Sequence, residues 1–331
     1  MERYHIAAGS LGVTVRARGA ELTSISHTIA GEVLWQAGPA WPRQSPVLFP
    51  IVGALANDEY RHEGRTYKLG RHGFARDLDF TWTETAADAC ALKLEDDERT
   101  RVAYPFRFRL DIRYAIDGES LIVTYVVGNP GSETLPVSLG AHPAFRWPLK
   151  DGVAKEAHQL TFAQNEPEPI RRLEGGLLAP QPFPSPIRGR ELALDPSLFD
   201  ADAIVMDQPN STSVRYSAPD APALDVSWSG FAQLGLWSKE GGEFLCIEPW
   251  YGYASPTAFS GDFVEKPGLM HLAPGDSRTC AMRISVTEYD ARNRFMLEEP
   301  CDSHLGNARM SVRDGTDQLA TSARLILRGL P

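Results

Sequence analysis

Phe106-Arg107-Phe108-Arg109-Leu110-Asp111-Ile112-Arg113-Tyr114-Ala115-Ile116-Asp117-Gly118, running on through Glu119 and Ser120 into Leu121-Ile122-Val123-Thr124-Tyr125-Val126-Val127, decides the fold class. Phe106, Phe108, Leu110, Ile112 and Tyr114 fall on every second residue, with arginine or aspartate between them. A period of two marks a strand with one buried face. Asp117-Gly118 supplies a hairpin turn, and the chain returns over 121–127. The return strand is apolar on both faces, which places it centrally in a sheet covered on both sides.

The same period extends outward in both directions. Leu11, Val13 and Val15 alternate, 20–25 and 33–35 have strand character, and Gly19 and Gly31 sit where turns belong. Residues 59–69 read as a hairpin with Glu63-Gly64 at its tip. Downstream, Asn129-Pro130-Gly131 is a turn before a strand over 135–139, and 224–228, 234–237, 244–248 and 280–289 are further strands. Residues 151–200 carry Pro167, Pro169, Pro180, Pro182, Pro184 and Pro186. Proline forbids regular structure over most of that region, so it reads as a surface excursion that can rim a pocket, with a helical turn over 195–199. There is no internal repeat. Many short strands and few helices predict an all-β sandwich forming one large domain over 1–290. The period of two is lost in the tail, so 291–331 reads as an extension, either mobile or holding a short helix over 318–328.

The 331 residues carry 33 Lys and Arg against 43 Asp and Glu, a net charge of -10. That balance excludes nucleic acid as a partner, since phosphate binding needs a basic surface. Cys90, Cys246, Cys280 and Cys301 lack zinc-site spacing and do not form a disulfide framework in a chain of this length. The N-terminal residues lack the apolar core of a signal peptide, and no apolar run approaches the ~20 residues of a membrane span. The expectation is a soluble cytoplasmic protein, monomer or homodimer, without a membrane partner, cofactor or metal.

Two distant stretches carry chemistry. Leu139-Gly140-Ala141-His142-Pro143-Ala144-Phe145 sets a histidine before a proline, which holds His142 in extended backbone. Phe244-Leu245-Cys246-Ile247-Glu248-Pro249-Trp250 ends an apolar strand in a carboxylate. Together they suggest an acid–base pair beside aromatics, though each half alone reads equally as structural. Arg71-His72-Gly73-Phe74-Ala75-Arg76 reads as a basic solvated loop or as a pocket lining, and the residues do not choose between them.

In 45–53, His72-Gly73-Phe74-Ala75-Arg76, Gly140-Ala141-His142-Pro143-Ala144-Phe145 and Ile247-Glu248-Pro249-Trp250, the chain resembles the aldose 1-epimerase (galactose mutarotase-like) family, in its LacX-type branch. The resemblance runs from Tyr4 to Tyr289. It implies a β-supersandwich with the active site in an open groove across one concave sheet. It also implies an isomerase of carbohydrate metabolism that interconverts the α and β anomers of an aldose. His142 would be the general acid at the ring oxygen, protonated at rest with Glu248 raising its pKa, and Glu248 the general base on the anomeric hydroxyl. His72 would orient the substrate, and Asp202 would bind sugar hydroxyls. Phe145, Trp147, Trp250 and Tyr251 offer surfaces for the apolar face of a pyranose, with core packing as their other reading. Relatives commonly carry an arginine at the position of Ala54, so Arg76, Arg71 or another basic residue must substitute, or activity or substrate has changed. A hexose-6-phosphate epimerase needs a third basic residue beside Arg71 and Arg76. A non-catalytic carbohydrate-binding protein fits the Ala54 departure. A glycoside hydrolase fits least, because only one carboxylate sits in a convincing motif.

Overall fold

Leu110, Ile112, Tyr114 and Ile116 share one face of the strand Arg109–Asp117, and all four are buried. The computed structural model describes residues 2–287. Within them this strand pairs along its length with Ser120–Gly128, from Arg109 opposite Gly128 to Asp117 opposite Ser120. The turn is therefore Gly118-Glu119, one residue later than read from sequence. Gly118 takes φ +58 at its first position, a backbone that glycine adopts without steric cost. Strand Arg109–Asp117 starts after Phe108, although Phe106 and Phe108 are buried.

These two strands lie within a nine-stranded antiparallel sheet. Its order is Glu191–Ala193, Gln159–Phe162, Ser213–Ser217, Ala223–Ser229, Ser277–Thr287, Ser120–Gly128, Arg109–Asp117, Ala89–Glu95 and Thr81–Thr85. Strand Ser120–Gly128 is central, but only one face is fully covered: Leu121, Val123, Tyr125 and Val127 are buried, whereas Ile122, Thr124 and Val126 are half-buried. The proline-rich region is more regular than expected, because Gln159–Phe162 and Glu191–Ala193 both join this sheet. Between them Leu173–Glu174 and Leu177–Leu178 form a short hairpin.

A six-stranded sheet is built from Ile204–Met206, Gln233–Trp237, Phe244–Tyr251, Leu139–Ala141 and Val47–Leu48, with Ala144–Arg146 also paired to Phe244–Tyr251. The strand anticipated over 135–139 is split. Leu135–Val137 pairs with Met270–Leu272, and Leu139–Ala141 joins the six-stranded sheet. Arg3–Ala8, Leu11–Arg16, Glu21–His27 and Gly31–Glu32 make a four-stranded sheet. The expected strand over 33–35 is reduced to a bridge between Leu34 and Phe145.

One core joins the sheets. Leu110, Ile112, Val123 and Tyr125 of the nine-stranded sheet share it with Leu234, Leu236, Leu245 and Ile247 of the six-stranded one. Burial of this apolar surface is the main driving force for the sandwich. Among the described residues the only α-helix is Glu98–Ala103, capped by Asp97, whose side chain accepts from Thr100 N. No helix of the described residues is long and apolar enough to cross a membrane. Cys90, Cys246 and Cys280 are buried free thiols. Cys301 and the helix anticipated over 318–328 lie outside the described residues.

Candidate active site

Alternation along Phe244–Tyr251 sorts its side chains. Leu245 and Ile247 face the main core, while Phe244, Cys246 and Trp250 belong to two smaller clusters on the opposite face. Glu248 shares that opposite face. The facing row on Ala144–Arg146 behaves alike: Ala144 lies on the outer face and Phe145 in the main core. This parity corrects one expectation. Phe145 is fully buried between the sheets and cannot pack on a ligand in the groove. Trp147 is also buried in the core, its indole N–H donating to Lys155 O at 2.9 Å, and Tyr251 packs against the same core. Of the four aromatics considered, Trp250 alone lines the cavity on the outer face.

That cavity has a volume of about 420 Å³ and gathers His72, Arg76, His142, Asp202, Glu248 and Trp250. His142 Nε2 lies 3.2 Å from Glu248 Oε2, and both side chains are almost wholly inaccessible. Glycines make room beside them. Gly235 pairs with Glu248 across the sheet, and a Cβ there would enter the Trp250 ring. A Cβ on Gly140 would sit 2.8 Å from Trp250 Cδ1. The indole thus lies flat along the sheet between two positions without side chains.

Two loops carry the histidine of the second motif. His72 N donates to Gly53 O at 2.8 Å, and Phe74 N donates to Phe49 O at 3.0 Å. Gly73, at φ +66, brings the backbones so close that a Cβ would sit 2.6 Å from Pro50 Cδ. His72 itself holds φ +65, a left-handed backbone that costs energy for a non-glycine residue and often marks functional sites. Gly53 N donates to His72 Nδ1 at 3.1 Å. That bond makes Nδ1 an acceptor, so the proton is on Nε2.

His142 is walled by aromatic rings that the sequence did not flag. Trp41 stacks on it at a ring separation of 5.0 Å, and Trp237 meets it edge-on at 5.7 Å. The signal for Trp41 was faint: a tryptophan within Pro39-Ala40-Trp41-Pro42, outside any periodic stretch. His72 approaches from a third side at 5.9 Å.

Burial dominates the electrostatics. It drives His142 down to about 3, and the charges of Arg76 and Arg43 push the same way. It drives Glu248 well above the carboxylate range; the Trp250 indole N–H pulls the other way, and the Asp202 charge adds to the rise. His72 is held well below 6.5 by burial, then by the charges of His142 and the arginines. Desolvation works against the resting imidazolium expected at His142, because it outweighs a neighbour that is itself pushed toward its neutral form. The pair still holds one mobile proton, on either Glu248 or His142. His142 Nδ1, Glu248 Oε2 and Trp250 Nε1 are buried without a well-aligned hydrogen bond among the described residues.

The basic residues sit at one end. Arg76 donates to Arg71 O at 2.7 Å, and Arg43 donates to Asp77 Oδ1 at 2.8 Å. Gly176 packs against the Arg71 guanidinium, and a Cβ there would also lie 3.7 Å from Ala54 Cβ. The Arg71 head therefore stands beside Ala54. Asp202 takes φ +64, and its Oδ1 accepts from Ala203 N at 2.8 Å. Ligand atoms of His142, Cys246 and Glu248 lie within 4.8 Å of one another. Burial, reinforced by Glu248, holds the Cys246 thiol well above its ordinary range, so a metal there would first have to displace its proton.

The aldose 1-epimerase family profile matches residues 2–285. Protein LacX of Lactococcus lactis subsp. lactis is 34% identical over 290 residues, covering 83% of this chain and 96% of its own. A galactose mutarotase related enzyme from Lactobacillus acidophilus superposes with a TM-score of 0.79 at 31% identity, covering 86% of this chain and 97% of that one. A galactose mutarotase-like protein from Lactobacillus casei gives 0.80 at 26%, covering 86% and 99%.

Proposed function

Because the chain belongs to the aldose 1-epimerase family, we propose that it interconverts the α and β anomers of an aldose by acid–base ring opening. The observation that carries this reading is the buried pair, His142 Nε2 to Glu248 Oε2 at 3.2 Å, on the cavity face of the sheet.

Opening a cyclic hemiacetal needs one proton removed and one supplied. Glu248 takes the proton of the anomeric hydroxyl, and the electron pair left on that oxygen forms the aldehyde C=O. The C1–O5 bond breaks, and its electrons leave on O5, which takes a proton from His142. Rotation about C1–C2 turns the other aldehyde face to O5. Closure reverses both transfers and restores the proton to where it began. The pair enters with one proton in the form Glu248 carboxylate and His142 imidazolium, a tautomer of the neutral pair that burial favours. Hydrogen bonds from the anomeric hydroxyl and to the ring oxygen favour that charged tautomer once substrate excludes water. Each proton transfer is worth about 10²–10⁴-fold in rate. His72, with its proton on Nε2, is placed to donate to a sugar oxygen. Trp250 offers a flat apolar wall, and Asp202 offers a carboxylate oxygen for hydroxyls.

The test is anomer exchange by NMR on freshly dissolved α-glucose and α-galactose, with Glu248→Gln and His142→Asn beside the unaltered protein. Acceleration that falls at least a hundredfold in both variants is expected. Equal exchange in either variant removes that residue from the mechanism.

A second reading, an aldose bearing a phosphate, is supported by a residue the sequence reading did not place. Arg43 joins Arg71 and Arg76: the charges of Arg43 and Arg71 push Arg76 down, and the charges of all three push His72 down. Asp77 is set against Arg43 and Arg76, and Glu21 is engaged by Arg16. That end of the cavity therefore keeps an excess of positive charge, which suits an anionic group. Preference for glucose 6-phosphate over glucose in the same assay, lost in Arg71→Ala, is what this reading expects.

A further inference from the structure

A second cavity, of about 650 Å³, adjoins the first and shares the lining residues Leu173 and Asp202 with it. Both volumes fall in the range of small-molecule sites, roughly 300–1,000 Å³. We propose that this second cavity binds a neutral sugar ring, so that the preferred substrate is the free reducing end of a disaccharide or longer glycan. The proposal rests on the epimerase reading for its chemistry, but its binding half can be measured without turnover.

Four observations carry it. The first is an aromatic platform. Phe183 lines the second cavity and is 38% exposed, one of three large hydrophobic side chains left exposed among the described residues. Its backbone is fixed, because Phe183 N donates to Ile170 O at 2.8 Å and Ile170 N donates back at 2.9 Å. An apolar ring held in water by an ordered backbone costs free energy unless something covers it. The C–H face of a pyranose is a flat apolar surface of the right kind.

The second is polar groups held in place around that platform. Arg172 Nη1 donates to Asp202 O at 2.9 Å, which leaves other N–H groups of the guanidinium for a ligand. Glu174 and Asp200 face the same space. Hydroxyls of a sugar both donate and accept, so they match a wall of mixed donors and acceptors.

Charge is the third. Among the described residues Arg172 is the only cation lining the second cavity, against Glu174, Asp200 and Asp202. Its surplus is negative, the reverse of the arginine-rich end of the first cavity. A phosphate or carboxylate is therefore disfavoured there, and an uncharged polar ring is favoured.

Continuity is the fourth. Arg171 exchanges backbone hydrogen bonds with Val205, at 2.8 and 3.1 Å, which ties this rim to the edge strand Ile204–Met206 of the same sheet that carries Glu248. Asp202, on the wall shared by the two cavities, takes its left-handed backbone just before that strand. Both cavities are thus framed by the same sheet, side by side along its edge strand.

The experiment compares glucose with maltose, cellobiose and gentiobiose, whose second ring is joined at O4 or O6 and whose reducing end is free. Anomer exchange is followed by NMR in the unaltered protein and in Phe183→Ala. Binding is measured by titration calorimetry in the Glu248→Gln protein, with and without Phe183→Ala. At least one disaccharide should bind about tenfold more tightly than glucose, which is ~1.4 kcal/mol. It should also show a similarly higher kcat/KM. Phe183→Ala should remove both advantages and leave glucose unchanged. Equal binding of glucose and all three disaccharides overturns the proposal even if exchange is fast. So does Phe183→Ala weakening glucose as much as the disaccharide. Tighter disaccharide binding with no exchange on any sugar leaves the second-ring site standing and sinks the epimerase reading instead.

Discussion

The indole of Trp41 stacks on the imidazole of His142 with ring centroids 5.0 Å apart and planes 26° from parallel. This contact helps keep water from the histidine, and burial is the largest cause of its depressed pKa. Replacing Trp41 by alanine should rehydrate the ring and move its pKa up from about 3 toward the ordinary value of ~6.5. A pH titration of the His142 imidazole by NMR reads this directly. A rise of a unit or more is expected, and an unchanged value would assign the desolvation to Trp237 and the sheet instead.

The single proton of the His142–Glu248 pair predicts a broad pH profile. The second proton is added only as pH falls through the lowered His142 value, about 3, and the first is lost only above the raised Glu248 value. In the free enzyme kcat/KM should therefore have no acid limb near the ~6.5 of an ordinary histidine or the ~4.3 of an ordinary glutamate. Its acid limb should fall toward about 3, and its alkaline limb should lie where the raised Glu248 loses its proton. A bell centred between those two ordinary values would show that both groups titrate as if exposed.

The same proton predicts stability trends of opposite sign for the two residues. The folded pKa of Glu248 is raised, so above the unfolded value the folded state holds a proton that the unfolded state has lost. Stability falls as pH rises through that window, at up to ~1.4 kcal/mol per unit. Glu248→Gln removes that slope, so its denaturation midpoint should gain on the unaltered protein as pH rises above ~4.5. His142 is lowered, so the unfolded state binds the extra proton between ~6.5 and about 3, and stability falls as pH drops. His142→Asn should gain on the acid side only. Urea midpoints measured at pH 4, 6 and 8 distinguish the two signs. The charged tautomer of the pair holds the same number of protons, so these slopes report the count and not the location.

What the sequence made legible was whatever a period of two encodes. Leu110, Ile112 and Tyr114 announce a strand, whereas the common face of Cys246, Glu248 and Trp250 emerges only from the structure, which carries a strand read as ending at Glu248 on to Tyr251. His142 and Glu248 were found because each sits in a stretch whose neighbours constrain it, a following proline in both cases. Phe145 and Trp147 alternate as an aromatic wall would, but alternation does not say which of the two faces meets the cavity. One step along a strand reverses the face, and Phe145 is an odd number of steps from Ala144 and His142. Trp41, Arg43 and Arg172 were missed for the opposite reason. They lie in aperiodic segments, where nothing local says which way a side chain turns, and their place depends on backbone contacts from distant parts of the chain. Arg172, for instance, is fixed by the carbonyl of Asp202.

Gly235 tests whether the position of Trp250 matters to the chemistry. It pairs with Glu248, and a Cβ on it would enter the Trp250 indole, whose other flank is closed by Gly140. Alanine at 235 must push the ring outward into the cavity, because the sheet below cannot yield. Forcing an extra carbon into a packed site costs about 1–3 kcal/mol, which a denaturation midpoint detects. Turnover should fall as well, since the displaced ring occupies space meant for the sugar and shifts the N–H that faces Glu248. Removing the obstruction separates these effects. In Gly235→Ala/Trp250→Phe the smaller ring leaves room for the new methyl, so the two changes should cost less together than the sum of each alone. Additive losses in stability would show that the clash is relieved elsewhere and that the glycine has no bearing on where the indole lies.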